Sequence, residues 1–448
     1  MGKRESFKSS FGVFAAAVGS AVGLGNIWRF PYITGMNGGA AFILVYLICV
    51  AIIGLPVLLS EFVIGRKGKT NPIDSFKSLA PQGKWYISGI LGIMSAFLIL
   101  AFYSVIAGWT LEYLTKAIGN QFVGKDVAEI GAMFENFIAD PKRTIFWQFI
   151  ILGLTCYIVA NGIEKGIEKY SSFLVPALIV IIIILDIRAI TLPGGKMGLD
   201  FLFKPDFSKV NGKVILDALG HSFFSLSLGA GTMITYGSYI KGNEKLGTSA
   251  LSIALADTLI AILAGIAIFP VVFAFGIEPN SGPGLVFVTL PNVFPQISGG
   301  YIFAVLFFLL LTLAAITSTI SMLEAVVSFG IDKFKLSRKK AAIISTILIF
   351  IVGVFASLSN GPLKDISFFG NNFLDFLDKL TANYFMTIGS LITIIFVGWK
   401  LNKKIIEEQL TNGGMIESNY MRTYYFVARY ISPIAIIIVF LASIGILG

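Results

Sequence analysis

Eleven apolar segments, each long enough to cross a lipid bilayer, dominate this 448-residue chain. Hydrophobic residues make up 56% of the chain and charged residues only 13%, and the mean hydropathy is +0.85. A composition this apolar excludes a soluble globular protein and predicts an all-α polytopic membrane protein embedded in a lipid bilayer. The segments cover residues 11–36, 39–64, 85–115, 144–163, 167–190, 214–240, 246–276, 296–330, 339–359, 373–400 and 424–447.

Positive charge in the connecting loops predicts the orientation of the chain. With the N-terminus in the cytoplasm, the loops on that side carry about twice as many lysines and arginines as the loops on the other side. After eleven crossings the C-terminus then lies outside the cell. Because the basic residues flank apolar runs and form no patch, the net charge of +9 indicates topology, and we expect no nucleic-acid partner.

A cluster of glycines interrupts the first apolar segment. Residues 19–26 read Gly-Ser-Ala-Val-Gly-Leu-Gly-Asn, and each glycine costs roughly 1 kcal/mol in a helix interior. Inside a membrane, backbone groups freed from a helix need partners, and irregular backbone persists only where it lines a cavity or is buried in protein. We therefore predict a broken helix whose free carbonyls are available to a cation and whose free amides are available to an anion.

A second interruption lies in the sixth segment, where residues 222–231 read Ser-Phe-Phe-Ser-Leu-Ser-Leu-Gly-Ala-Gly. Interrupted segments at corresponding places in two sets of five helices indicate a transporter site built on inverted repeats. The alternative for either segment alone is that its glycines allow tight helix packing. We expect one transporter domain over 1–448, with repeat one at about 9–190, repeat two at about 214–400 and an extra helix at 424–447.

Several short motifs follow one another along the chain. They are the glycine cluster followed by Arg29-Phe30-Pro31-Tyr32, then Asn37-Gly38-Gly39-Ala40-Ala41-Phe42, Gly54-Leu55-Pro56, Glu61, Gly65-Arg66, Tyr103, Trp109 and Thr317-Ser318. Together these motifs resemble those of the neurotransmitter:sodium symporter family. The resemblance covers nearly the whole chain and implies a LeuT fold, a 5+5 inverted repeat in which helices 1 and 6 are broken. A total of eleven helices resembles the bacterial branch of the family, and implies sodium-driven amino-acid uptake across the bacterial inner membrane.

The resemblance implies a pocket for a hydrophobic or aromatic L-amino acid. The substrate carboxylate would meet the amides of residues 22–25 and the Tyr103 hydroxyl, and the ammonium would meet carbonyls of the two interruptions. Ala230 stands where a family member has phenylalanine, so a roomy subsite would favour tyrosine or tryptophan, with phenylalanine and leucine as the other candidates. The implied substrate-binding residues are Ser20, Ala21, Val22, Gly23, Leu24, Gly25, Ile99, Tyr103, Phe224, Ser225, Ser227, Ala230, Ser318 and Met322.

Two sodium sites follow from the same resemblance. Both offer the oxygen ligands that a hard cation prefers. The first would use Ala21, Asn26, Ser225 and Asp257, together with the substrate carboxylate. The second would use Gly19, Val22, Ala314, Thr317 and Ser318.

Asp257 is an acidic residue inside an apolar segment, and such residues are by default functional because an ionised side chain is costly in a membrane. The family commonly has asparagine here, and its chloride-dependent members have serine at the position of Ala261. The resemblance implies that Asp257 supplies the negative charge that chloride supplies elsewhere, so we expect no chloride requirement. The alternative is a structural aspartate, protonated or paired.

Charged and aromatic residues on both sides of the pocket resemble the family's gates. An ion pair would close the outer side, and a second ion pair with two aromatic neighbours would close the inner side. The alternative for each basic residue is a side chain that snorkels to the interface. The pairs are Arg29 with Asp378, which has Asp375 as a neighbour, and Arg4 with Asp332, which has Phe7 and Tyr239 nearby.

Gly166 and Pro176 in the fifth segment resemble a family device for unwinding the inner end of that helix. Proline removes a backbone hydrogen bond in the turn before it, and glycine weakens the helix. Unwinding there would let water reach the second sodium site.

Two other functions stay open from the sequence. One is a proton-coupled amino-acid carrier of the same fold, against which the sodium ligands argue. The other is a membrane amino-acid sensor or channel, against which the gathering of polar residues at one depth argues, because a channel needs a continuous polar stripe. We expect no enzyme, since no Ser–His or paired-carboxylate arrangement supports hydrolysis.

Overall fold

The computed structural model describes residues 4–276 and 284–446, and within those residues the chain is helical, with no β-strand. Thirteen helices cross the bundle or form half of a crossing, and they are labelled in chain order. They are α1 (Ser10–Ala21), α2 (Gly25–Met36), α3 (Ala40–Gly68), α4 (Tyr86–Ile118), α5 (Pro141–Ala160), α6 (Ile163–Ile190), α7 (Gly212–Ser225), α8 (Thr232–Tyr239), α9 (Leu246–Ala274), α10 (Gly300–Phe334), α11 (Arg338–Leu358), α12 (Phe373–Lys400) and α13 (Met421–Ser443).

The eleven predicted segments coincide with these helices, and no boundary differs by more than about four residues. In the part of the chain that the structure describes, nine helices are long and apolar enough to cross a membrane, and α1 with α2 forms a tenth, bent span. The predicted sixth segment is the pair α7 and α8, separated by residues 226–231. Residue 447, the predicted end of the last segment, lies outside the described residues.

The broken helices lie in the interior of the bundle. α1 packs against α6, α9 and α10, and α8 packs against α3 and α10. α10 itself is 72% buried over its most apolar window, whereas α13 is 28% buried and lies at the edge. The two helix breaks are therefore surrounded by protein, as irregular backbone in a membrane must be.

Shorter helices connect the crossings. Val127–Ala139 begins with a capping box in which Asp126 and Glu129 each accept the other's backbone N–H, at 2.8 and 2.9 Å. We call the end of the bundle where α1 begins the N-terminal face, and the other end the opposite face. The connecting helices are Pro72–Leu79, Val127–Ala139, Gly195–Phe203, Phe207–Lys209, Leu285–Gln296 and Lys403–Leu410.

Candidate substrate and ion site

The first helix breaks at the glycine cluster. Residues 22–24 separate α1 from α2, whose axes are bent by 53°. The freed amides find side-chain partners, since Gly23 N–H donates to Asn26 Oδ1 at 3.1 Å and Leu24 N–H donates to the Tyr103 hydroxyl oxygen at 3.0 Å. Side chains thus replace the lost helical hydrogen bonds, and the carbonyls of this stretch are free to face other groups.

The second break, residues 226–231, is anchored to the first. Ser227 has φ +53°, unusual for a residue with a side chain, and its hydroxyl donates to the Ser20 carbonyl at 2.9 Å. The amide of Gly229 donates to the buried Glu61 Oε1 at 2.7 Å. Hydrogen bonds across the bundle therefore hold both irregular stretches in one arrangement.

A polar cluster around Asp257 lies beside the two breaks. Asn26 Nδ2 donates to Asp257 Oδ1 at 2.7 Å, and the Ser225 hydroxyl donates to Asp257 Oδ2 at 2.7 Å. The Tyr46 hydroxyl donates to the same Oδ2 at 3.4 Å, and all four side chains are buried. The cluster presents carboxylate and hydroxyl oxygens, which suit a hard cation, while the Asn26 amide oxygen faces the Gly23 N–H.

A second oxygen cluster joins α1 to α10. The Thr317 hydroxyl lies 3.0 Å from the Ala314 carbonyl and 3.5 Å from the Val22 carbonyl. The Ser318 hydroxyl lies 3.4 Å from the carbonyls of both Gly19 and Val22, and 3.3 Å from that of Ala314. Two hydroxyls and three carbonyls face one another here without a carboxylate, so this cluster also presents only oxygen ligands.

A small cavity of about 50 Å³ lies between the breaks. Serines and Tyr103 supply the polar side chains of its lining, and Ile99, Ala230 and two methionines are among its apolar residues. The lining residues are Ser20, Ala21, Gly23, Gly25, Ile99, Tyr103, Phe224, Ser225, Ser227, Ala230, Ser318, Met322 and Met386.

A larger cavity of about 380 Å³ adjoins the small one toward the opposite face. The two cavities share Gly25, Tyr103 and Phe224, so these two aromatic side chains stand between them. The guanidinium of Arg29 lies 4.6 Å from the centroid of the Phe224 ring, within reach of a cation–π interaction. Asp378 also lines the larger cavity.

The N-terminal face is closed by a polar and aromatic cluster. Arg4 Nη1 and Asp332 Oδ2 are 2.8 Å apart, and the Thr70 hydroxyl donates to the same oxygen at 2.9 Å. The Arg4 guanidinium lies 4.8 Å from the centre of the Tyr239 ring, and Phe7 packs edge-on against that ring at 6.3 Å. The pocket is therefore blocked on this side and adjoins a cavity on the other.

Comparisons with known proteins agree with this architecture. The profile of the Sodium:neurotransmitter symporter family matches residues 4–129 and 121–447. The chain belongs to this family. The Bacillus subtilis sodium-dependent transporter YhdH is 41% identical over 446 residues, covering 100% of this chain and 99% of the relative. A sodium-dependent transporter of Haemophilus influenzae is 35% identical over 455 residues, covering 99% and 98%.

A solved structure of the same fold is that of MhsT in complex with L-phenylalanine. It superposes with a TM-score of 0.90 at 45% identity, covering 98% of this chain and 100% of that one. The expected LeuT fold and the family resemblance are thereby confirmed. The chain is a multi-pass sodium-dependent symporter of a transporter family.

Most residues predicted for the symporter's substrate pocket lie together. All but two of them line the small cavity. Of the exceptions, Leu24 lines the larger cavity, while Val22 directs its carbonyl toward Thr317 and Ser318. The predicted first-site residues Asn26, Ser225 and Asp257 are in mutual contact.

The expected ion pair between Arg29 and Asp378 is not formed. Arg29 lies over Phe224, and within residues 4–276 and 284–446 no carboxylate oxygen is within 4.0 Å of its guanidinium. Both side chains line the same open cavity, and the aromatic face offers the guanidinium a nearer partner. The two side chains are separated in this conformation, so their role as an outer gate stays a prediction, whereas the Arg4–Asp332 pair is formed.

The stretch around Gly166 and Pro176 is helical. Residues Ile163–Glu168 form a π-helical turn at the start of α6, and Pro176 lies inside the helix that follows. A Cβ at Gly166 would lie only 2.1 Å from the carbonyl oxygen of Ile158, so the turn packs closely on the end of α5. The predicted unwinding of the inner end of α6 would therefore start from this helical state.

Three residues of the site were not assigned to it from the sequence. Met386 of α12 lines the small cavity, Glu61 of α3 accepts the backbone N–H of Gly229, and the Tyr46 hydroxyl donates to Asp257. Glu61 belonged to one of the motifs of the resemblance, but no role in the site was given to it. A buried carboxylate in an apolar segment was the signal available for it, and no local signal distinguishes Met386 from an ordinary packing residue.

Proposed function

We propose that this protein imports hydrophobic or aromatic L-amino acids by symport with two sodium ions and alternating access. The observation that carries the proposal is a small pocket between the two helix breaks that is flanked by two oxygen-rich clusters. Because the first broken span, α1 with α2, contributes to the pocket and to both clusters, ion binding and substrate binding stabilise one arrangement of that span.

The polar part of the substrate meets the two breaks. The substrate carboxylate meets the amides of residues 22–25, next to the start of α2, where the helix dipole favours an anion, and the Tyr103 hydroxyl donates to it. In binding there, it takes the place of the side chains that now accept the N–H groups of Gly23 and Leu24. The ammonium meets carbonyls of Ala21, Phe224, Ser225 and Ser227. A Cβ at Gly23 would lie 2.5 Å from the Ser318 hydroxyl oxygen, so this position has no room for an acidic side chain and supports a substrate that brings its own carboxylate.

The side chain of the substrate occupies the apolar end of the small cavity. Ala230 leaves space there, and the flexible side chains of Met322 and Met386 adapt to different shapes. The related MhsT was solved with L-phenylalanine bound, which supports an aromatic or large apolar substrate. Ser227 and Ser318 offer hydroxyls to a polar tip such as that of tyrosine or tryptophan.

The first sodium ion is held by Ala21, Asn26, Ser225 and Asp257, with the substrate carboxylate as a further ligand. Asp257 supplies a fixed negative charge at this site. Ala261, one turn further along α9, has no hydroxyl with which to hold an anion. Transport is therefore independent of chloride.

The second sodium ion is held by the carbonyls of Gly19, Val22 and Ala314 and the hydroxyls of Thr317 and Ser318. It bridges α1 and α10 without touching the substrate. Sodium thereby stabilises the docked position of α1, in which the N-terminal face is closed.

The N-terminal face is cytoplasmic and the C-terminus lies outside, as the charge bias of the loops supports. The protein lies in the bacterial inner membrane. In this orientation its pocket is closed on the cytoplasmic side and open to the outside through the larger cavity. Movement of repeat one (9–190) relative to repeat two (214–400) exchanges the two states, and the extra helix (424–447) lies outside both repeats.

Uptake into proteoliposomes tests the proposal. Labelled tyrosine, tryptophan, phenylalanine and leucine are supplied with sodium or choline, and with chloride or gluconate. We expect uptake that requires sodium and ignores chloride. Uptake that persists in choline and follows a proton gradient identifies the proton-coupled alternative, and binding without accumulation identifies a sensor or channel.

A further inference from the structure

Glu168 of α6 caps the N-terminus of a different helix. Its Oε2 accepts the backbone N–H of Lys8 at 2.7 Å, and its Oε1 accepts the backbone N–H and the hydroxyl of Ser9 at 3.1 and 2.7 Å. These groups lie at the start of α1, where unpaired amides carry positive partial charge. Glu168 is only 7% exposed, so its carboxylate depends on these partners for compensation.

Glu5 makes the reverse contact. Its Oε2 accepts the backbone N–H of Ile163, the first residue of α6, at 2.8 Å, and its Oε1 accepts from Arg338 Nε at 3.0 Å. Gly162, just before the helix, has φ +91°, and a Cβ there would lie 3.0 Å from Glu5 Oε2. Glu168 of α6 therefore caps the start of α1, and Glu5, which precedes α1 in the chain, caps the start of α6.

The fit at the α1 end depends on a glycine. A Cβ at Gly12 would lie 2.2 Å from Glu168 Oε1. The absence of a side chain at Gly12 is what lets the carboxylate rest against the first turn of α1. Glu168 is also the last residue of the π-helical turn Ile163–Glu168, so the cap on α1 exists only while that turn is folded.

We propose that Glu5 and Glu168 form a reciprocal clasp that makes the start of α1 and the first turn of α6 dock and undock as one unit. If the start of α1 or the first turn of α6 moves away, both helix ends lose a cap. Buried amides and a buried carboxylate are then left without partners. Both glutamates are positioning residues, since they contact neither the pocket nor the two oxygen clusters. The clasp goes beyond symport, because it assigns the coupling between two helix ends at the closed face.

Hydrogen exchange of the full-length protein in sodium tests this coupling. Glu5→Ala removes the cap of Ile163 directly. If the two helix ends are coupled, amide exchange also becomes faster at residues 8–12. Glu168→Ala removes the cap of α1 directly, and the clasp requires faster exchange at residues 160–167 as well. We expect roughly fivefold faster exchange at both ends in both variants, the factor associated with loss of a helix cap.

Conservative and control variants sharpen the measurement. Glu168→Gln keeps one acceptor oxygen and should fall between wild type and Glu168→Ala. Glu164→Gln changes an exposed residue of the same turn, which pairs with the Lys8 side chain at 3.4 Å, and should leave both ends unchanged. Glu5 is half exposed, so its variant keeps the test available if Glu168→Ala fails to fold. Exchange that rises only at the directly uncapped end overturns the clasp.

Gly12→Ala gives an independent test. Its methyl group displaces the Glu168 carboxylate, so Gly12→Ala alone should speed exchange at residues 160–167 about as much as Glu168→Ala does. The double variant should be no worse than Glu168→Ala, because the obstructed carboxylate is absent. Additive effects of the two changes contradict the clasp. None of these readouts needs a transport assay, so the clasp and the symport proposal fail separately.

Discussion

The carboxylate of Asp257 accepts three hydrogen bonds in a fully buried position. We expect Asp257→Asn to lower sodium-driven uptake at least about tenfold, because it removes the charge that offsets a bound cation. Adding Ala261→Ser to Asp257→Asn should restore part of the uptake when chloride is present and none in gluconate. Ala261→Ser alone is the control. A double variant that ignores chloride contradicts the replacement of chloride by Asp257.

We expect Ala230 to set the length of the substrate side chain that the small cavity accepts. Ala230→Phe fills the apolar end of a cavity of about 50 Å³, so tryptophan, tyrosine and phenylalanine should lose at least about tenfold in apparent affinity. Alanine and glycine should compete as well as before. Competition against one labelled substrate measures both effects. A parallel loss for small and large amino acids indicates damage to the polar half of the pocket and contradicts a role in size selection.

Single residues of the site were predictable to different degrees. Asp257 stood out because an acid in an apolar segment is costly, and Asn26 and Ser225 do contact it. Arg29 was assigned a charged partner, but its guanidinium lies over an aromatic ring. Which partner such a side chain contacts depends on whether the cavity around it is open or closed. A sequence carries no information about that conformation.

At the scale of elements, the apolar runs predicted the helices closely. Membrane thickness and backbone hydrogen bonding leave few alternatives for a long apolar segment, so α3, α9 and α12 begin and end near their predicted limits. The contacts that hold the second break, residues 226–231, were not predictable. They depend on which turns of α3 and α12 face it, and this register arises only when the bundle packs.

Two glycines of the predicted sixth segment should respond oppositely to substitution. Gly229 has φ +75°, and a Cβ there would lie 2.2 Å from the Met386 carbonyl oxygen, so Gly229→Ala should cost at least about 1 kcal/mol and weaken substrate binding. Gly220 lies inside α7 with nothing within 4 Å of a Cβ, so Gly220→Ala should be neutral or stabilising. Thermal melting with and without substrate compares them. Equal melting of both variants contradicts a strained break.

At the scale of the whole molecule, closure is asymmetric. The N-terminal face is held by Arg4, Asp332 and the aromatic side chains of Phe7 and Tyr239, and the larger cavity lies on the other side of the pocket. The sequence indicated both gates, because each offers a basic and an acidic residue at suitable positions. Only the packed structure distinguishes a formed pair from a separated one.

Breaking the Arg4–Asp332 pair should therefore open the N-terminal face. Arg4→Ala leaves the half-buried Asp332 without its cation, which favours states in which water reaches it. A reporter cysteine at Ser20, introduced after Cys49 and Cys156 are replaced, should react about fivefold faster with an impermeant thiol reagent applied to that face. Lys67→Ala, which breaks a more exposed pair with Glu408 at 2.9 Å on the same face, is the matched control. If sodium binds at the proposed second site and stabilises the docked α1, it should slow the reaction in wild type more than in Arg4→Ala. Equal rates in Arg4→Ala and Lys67→Ala would show that the pair does not hold this face closed.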